Sequence, residues 1–320
     1  MNFIATGIGA GLVSALLTVV VVKETMLAAV LAMVAPLPIL IVALGWNHRS
    51  GLVATLVGGL AIGAFTASIL SAVGFMIVTG LPAWWLAYLA LLGRPAADGS
   101  TEWYPTGRLL AWVAATAAVT IMVTGIISSR GDYSAFEARS RQISEAFVTM
   151  FFEAPEQGTE DVRASLTETL TTMTPALSAF GFTFFMGLYL WLAAKVVSAS
   201  GRLPRPWSPM PELAMPRAVL LAPIVALVMI QFEGFISALG YGLLGAFLMA
   251  FTLQGLAAIH ERTQGKPGRG LILAGLYALL FLTQGVMIAA LSLFGIADTI
   301  FGLRHRFGGK RPNPPPTLST

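Results

Sequence analysis

Two carboxylates stand inside apolar runs of this chain: Glu233 in QFEG and Asp298 in GIADTIFGLRHR. An ionisable group at membrane depth is costly, and it commonly serves proton coupling or substrate contact. Glu233 stands beside a glycine where an apolar block must turn, so an interfacial turn residue is its competing reading. Asp298 lies less than two turns before Arg304 and His305, and a structural polar contact is its alternative. Gln231, Gln254 and Gln284 bring amides into the same runs, where they can bond between helices for about 1 kcal/mol each. Pro36 and Pro38, in APLPILIVALGW, remove backbone donors in mid-run. A helix broken there can line a binding cavity or can simply be kinked. Pro36, Pro38, Glu233, Gln254 and Asp298 are therefore the candidates for substrate binding or coupling.

Catalytic templates fit badly. His260-Glu261-Arg262-Thr263-Gln264 begins like the zinc motif HExxH, but Gln264 stands where the second imidazole must be. His48 and His305 flank apolar runs, so no histidine shares mid-membrane depth with a serine. A paired-aspartate mechanism lacks a second intramembrane Asp. The Gly-Lys pairs at Gly265-Lys266 and Gly309-Lys310 lack the phosphate-loop pattern. There is no cysteine, which excludes disulfides and thiolate chemistry. These residues predict no enzyme, no metal and no cofactor.

The elements that would position the candidates are membrane helices. Of the 320 residues 56% are hydrophobic and 11% charged, with a mean hydropathy of +0.80. A soluble domain carries about 25% charged residues. Apolar runs of about 20 residues, without strand-like alternation, predict an all-α bundle of about 8–9 membrane helices. The predicted spans are about 3–22, 26–46, two within 51–92 divided near Ser68–Ser71, 108–128, 175–198, and two within 218–258 divided at Glu233-Gly234. The last run, 270–303, is long for one span and short for two, and Gln284-Gly285 is where it could fold back. Gly7 and Gly11, then Gly59 and Gly63, repeat the four-residue small spacing that lets helices approach closely. They can serve internal packing or dock a membrane-protein partner or a second copy. Trp84, Trp85 and Tyr88 cluster as aromatic residues do at the headgroup level.

A polar stretch, 130–174, divides residues 1–129 from 175–303, and a basic, Pro-rich tail follows from 304 to 320. The stretch holds eight of the 15 acidic residues. Ser134 and Glu137 fit a capping box. Phe136, Ile143, Phe147, Met150, Phe151 and Ala154 recur at helical spacing. Residues 155–158 break this helix, and Val162, Leu166 and Leu170 mark another. Two amphipathic helices are the expectation, lying on the membrane surface or over the bundle mouth as a lid or docking platform. Loop arginines at 49, 94, 108, 202, 205, 217, 262 and 269 fall on one side if the spans alternate. Positive-inside makes that side and the N-terminus cytoplasmic, and the polar stretch extracytoplasmic. The basic residues read as topology, so no nucleic-acid partner is expected.

PLPILIVALGW, LPRPWSPMPELAMPR, FLMAFTLQGLAAIHERT and LFGIADTIFGLRHR, in this order over about residues 3–306, resemble the YybS-like predicted membrane proteins of bacteria. The resemblance implies a polytopic inner-membrane protein of about eight spans. It further suggests remote kinship with the substrate-binding subunits of energy-coupling-factor transporters, and it implies no catalytic residues. The functional expectation is transporter-like binding of a small solute in the helical bundle. The alternative is a non-transporting scaffold for an envelope or membrane complex.

Overall fold

The computed structural model describes residues 2–97, 99–151, 160–209, 212–283 and 285–303. The chain is helical almost throughout. Among the described residues, seven helical stretches are long and apolar enough to cross a membrane: Phe3–Lys23, Met26–Gly45, His48–Thr66, Ile69–Ala90, Thr106–Ser128, Glu160–Ala199 and Gly234–Arg262. Three apolar helices are shorter, Arg217–Met229, Arg269–Leu282 and Val286–Phe301. At 1.5 Å per residue these reach about 20–24 Å, less than the roughly 30 Å hydrocarbon core.

Helix α1 (Phe3–Val19) packs along α4 (His48–Thr66), because glycine lets their backbones meet. A Cβ on Gly7 would lie 2.7 Å from the Ser50 carbonyl, and one on Gly11 would lie 2.5 Å from that of Ala54. The division of 51–92 falls at Ala67, whose φ of +50° ends α4, and Ser68 then caps α5 (Ile69–Phe75). A π-turn at Met76–Gly80 joins α5 to α6 (Leu81–Ala90). Gly59 and Gly63 face this segment, with Met76 and Ala72 against them. Both glycine pairs thus serve packing inside the bundle.

After a short hairpin, β1 (Gly93–Pro95) paired with β2 (Thr101–Trp103), α7 (Thr106–Ser128) crosses back. Helix α8 (Tyr133–Phe151) follows, then α9 (Glu160–Ala199). One expectation is corrected here. The second surface helix is not separate: the segment from Glu160 runs without a break into the next span, and the predicted boundary at 174–175 falls inside one 40-residue helix. Pro175 interrupts the hydrogen-bond ladder there, but threonine hydroxyls bond back along the turn before it, Thr171 to the Thr167 carbonyl and Thr174 to that of Leu170. About 60 Å of helix cannot fit within the hydrocarbon, so α9 carries its first turns beyond the membrane. Helix α8 turns a hydroxyl-bearing face to α9. Ser140, Ser144 and Val148 are buried, and Ser144 Oγ lies 3.3 Å from Thr174 Oγ1 of α9, whereas Ile143 and Met150 are exposed. Phe152–Thr159, with the break predicted at 155–158, lies outside the described residues, as does the side chain of Phe151.

Helix α11 (Gly234–Arg262) is the centre of the second half. It packs on α7, α9, α10 (Leu221–Met229) and α13 (Val286–Phe301). Glycines make those approaches possible: a Cβ on Gly245 would collide with the Ala176 carbonyl of α9, and one on Gly255 with that of Leu291 in α13. The last run breaks at Gly285 (φ +125°), between α12 (Arg269–Leu282) and α13, where a fold-back was expected. Gln284 and the tail from Arg304 lie outside the described residues.

The loops gather at two ends. Arg202 stacks over Trp46 with its guanidinium carbon 4.5 Å from the ring, and Arg205 reaches Ala90 and Tyr104. These contacts bring the junction of α3 (Pro36–Gly45) with α4, the end of α6, the β-hairpin and the 200–216 loop to one basic end. At the other end, the rings of Tyr133 and Phe136 in α8 meet Phe235 of α11 at 5.3 and 5.6 Å.

Candidate functional site

The broken second span is closed by its neighbour. Helix α2 (Met26–Met33) stops at Val34, and α3 restarts with Pro36 in its first turn. Two prolines remove two donors, so carbonyls need other partners. Ala35 N–H turns to Ala32 O at 3.2 Å, and Leu37 N–H to Val34 O at 3.0 Å. Ser14 of α1, fully buried, donates its hydroxyl to Ala35 O at 2.6 Å. Pro36 is buried within this packing and Pro38 is partly buried. The freed groups bond within the protein.

Gln254 is the deepest polar residue among the candidates, with no exposed surface, eight residues before the end of α11. A primary amide offers two donors and two acceptor sites. Its Nε2 donates to Thr299 Oγ1 at 2.7 Å, and to Gly295 O and Asp298 Oδ2 at 3.2 Å each. Its Oε1 accepts from Met215 N–H at 3.0 Å. Asp298, 5% exposed, therefore lies beside Gln254 rather than alone in the bundle. Of the five sequence candidates, these two are brought together, and the node binds α11, α13 and the 200–216 loop into one unit. The glycines beneath it match: Gly255 and Gly295 face each other's helices so closely that a Cβ on either would collide with backbone.

The loop side of this unit holds a cation that sequence reading treated only as a topology mark. Arg205 is 4% exposed. Its Nη1 donates to Ala90 O at 2.8 Å and to Tyr104 O at 3.1 Å, and its Nε has no hydrogen-bond partner among the described residues. Ala90 is the last residue of α6, where unpaired carbonyls concentrate negative charge. Burial lowers the guanidinium pKa, but the group stays charged. The Pro-rich run around Arg205 was the available signal, because proline-rich loops hold one path.

Glu233 is separate from all of these, at the opposite end. It is exposed and precedes α11 as its extended N-cap residue. It lines an open cleft of about 590 Å³ with Tyr133, Phe232 and Ser237. Beneath the cleft is a chamber of about 60 Å³ walled by Phe136, Glu137, Ser140, Thr171, Pro175 and Tyr241. Tyr133 and Ser237 line both, so the two adjoin. A volume of that size holds about four waters. Tyr133, Phe136 and Phe235 form a three-ring cluster at its wall. Burial, then the nearby Glu137 carboxylate and Tyr241, raise the Tyr133 pKa, so its hydroxyl remains a donor. Two carboxylates, two phenols, the hydroxyls of Ser140, Thr171, Thr172 and Ser237, and tilted and edge-on rings can hold a small solute bearing cationic or donor groups.

The start of α8 completes this site. The expected capping box at Ser134 and Glu137 is not formed. Asp132 caps instead, its Oδ1 accepting from Ser134 N–H and Ser134 Oγ at 2.9 Å each. Two residues earlier, an aspartate already fills the role, which leaves Glu137 to line the chamber.

Fold and site together define a polytopic α-helical membrane protein that contacts the lipid bilayer on its apolar faces. The chain belongs to the family described as predicted membrane protein (DUF2232), whose model matches residues 12–299. No curated protein and no solved structure matches it.

Proposed function

We propose that this protein binds a small solute, as a transporter-like component, in the cleft between α8, α9 and α11. The observation that carries the reading is that the chamber lined by Glu137 adjoins the vestibule lined by Glu233, with Tyr133 and Ser237 in the wall of both. A vestibule of about 590 Å³ falls in the range of small-molecule sites, roughly 300–1,000 Å³. The chamber takes a polar, positively charged end against Glu137, and the rings of Tyr133 and Phe136 take the body. Gln254 and Asp298 hold the bundle together, and Pro36 and Pro38 shape the second span; solute contact falls to the α8 end. Loop arginines at the other end support a reading in which that end faces the cytoplasm of a bacterial cell and the cleft lies outside its inner membrane. Suggested kinship with energy-coupling-factor subunits points the same way.

The test is thermal stabilisation of the purified protein by vitamins, nucleobases and organic cations. At least one organic cation raises the melting temperature of the wild type and not of Ser237→Leu, which puts a larger side chain in the wall of both cavities. A panel without effect, with no metabolite released on denaturation, would count against the reading.

A second reading, a scaffold for a membrane complex, is favoured by one observation. Helix α9 extends beyond the membrane, and Ile143 and Met150 on α8 are 57% and 77% exposed. Replacing both by Ser removes a co-purifying protein if the scaffold reading holds, and leaves solute stabilisation unchanged if the first holds.

A further inference from the structure

Two apolar grooves flank Trp112 on the membrane-facing side of α7. One, of about 310 Å³, runs over Ala111 between α7 and the start of α10, against Val219 and Phe247. The other, of about 360 Å³, runs between α6 and α7, against Pro82, Trp85, Thr116 and Val123. Trp112 and Ala115 line both. Alanines at 111 and 115 leave the depth on each side, and the large Trp112 stands between them as a ridge. At the polar end of the ridge, Trp112 Nε1 donates to Tyr104 Oη at 3.0 Å. Arg108 stands one turn earlier, exposed, on the wall of the first groove. Among the described residues it has no ion-pair partner. The nearby Glu102 is held by Arg94 at 2.8 Å.

We infer that a two-chain anionic lipid straddles Trp112, its phosphate on the Arg108 guanidinium and one acyl chain in each groove. Charge selects the head: a guanidinium at the basic end of a bundle attracts phosphate and offers it paired donors. Position selects the tails. From Arg108 to Val123 α7 rises about 22 Å, against roughly 15 Å for half of the hydrocarbon core, so an extended chain can follow it. A water-soluble solute would gain nothing from the apolar walls. This site lies at the opposite end from the solute cleft and does not depend on it.

Native mass spectrometry in mild detergent tests it, with phosphatidylglycerol, phosphatidylcholine and inorganic phosphate as probes. The wild type retains phosphatidylglycerol about fivefold over phosphatidylcholine. Arg108→Gln removes that preference, and Ala115→Leu lowers retention of both lipids while leaving inorganic phosphate unbound. Should Ala115→Leu fail to fold, Ala111→Leu fills the first groove alone. Equal retention of the two lipids by the wild type, or an unchanged preference in Arg108→Gln, would overturn the inference. Displacement of the lipid by millimolar inorganic phosphate would do the same, in favour of a simple anion site.

Discussion

The Ser14 hydroxyl donates a 2.6 Å hydrogen bond to the Ala35 carbonyl, 21 residues away and one residue before Pro36. A helix break inside a membrane leaves backbone groups that water cannot reach. Here the adjacent helix supplies a donor. Ser14→Ala is expected to lower stability by about 1 kcal/mol. Thermal unfolding in detergent measures it, and Ser14→Thr is expected to lose stability as well, because the added methyl has no room at a fully buried site.

The crossing of α11 with α13 depends on the absence of two side chains. Gly255→Val and Gly295→Val each place a branched side chain against backbone carbonyls. Each is expected to cost about 3 kcal/mol or more, through overpacking and loss of the Gln254 bonds. Gly275→Val, on α12 in open space, is the matched control and is expected to be nearly silent. Limited proteolysis after residue 262 separates the cases.

The cap of α8 is acid-sensitive. Hydrogen bonds from the Ser134 hydroxyl and backbone hold the Asp132 carboxyl below its usual range. A depressed folded pKa contributes stability above the unfolded value of about 3.9, and that contribution disappears as pH falls through the folded value. Amide exchange at 133–136 is therefore expected to accelerate on acidification. Asp132→Asn keeps a capping oxygen and is expected to flatten that dependence, whereas Asp132→Ala accelerates exchange at every pH.

Arg205 ties the Pro-rich loop to two carbonyls that belong to different elements. An ammonium on a flexible stem does not reproduce the planar fork. Arg205→Lys is expected to cost about 1–3 kcal/mol, read as a lower melting temperature and faster cleavage in the 200–216 loop.

Much of the architecture could be read from composition and punctuation. Prolines at 36 and 38 announced the broken span, Ser68 the division of the long apolar block, and Gly285 the break in the last run, since each acts locally on the backbone. Gln254 and Asp298 were visible as costly polar groups, but their pairing was not, because it depends on how α13 crosses α11. Arg205 was missed for a related reason: a loop arginine reads as a topology mark until three elements close over it. The polar stretch misled more. Period marked Phe136, Ile143 and Phe147 as an apolar face but gave no sign that Ser140 and Ser144 would be buried, because that depends on how closely α8 lies against the threonines of α9. Glu233 was noticed from its own position, while its neighbours Tyr133 and Glu137 come from a helix about 100 residues earlier and carry no sequence link to it.

Ser237 tests the solute-binding proposal most directly, since it lines both vestibule and chamber. The chain has no cysteine, so Ser237→Cys introduces one thiol on a silent background. Its rate of reaction with a water-soluble maleimide is measured on the purified protein with each compound of the panel. The proposal predicts that the thiol is labelled in the free protein, and that the organic cation that raises the melting temperature slows labelling about tenfold or more when present at 10 times its half-saturating concentration. Labelling at one rate throughout, with every panel compound present, would contradict it.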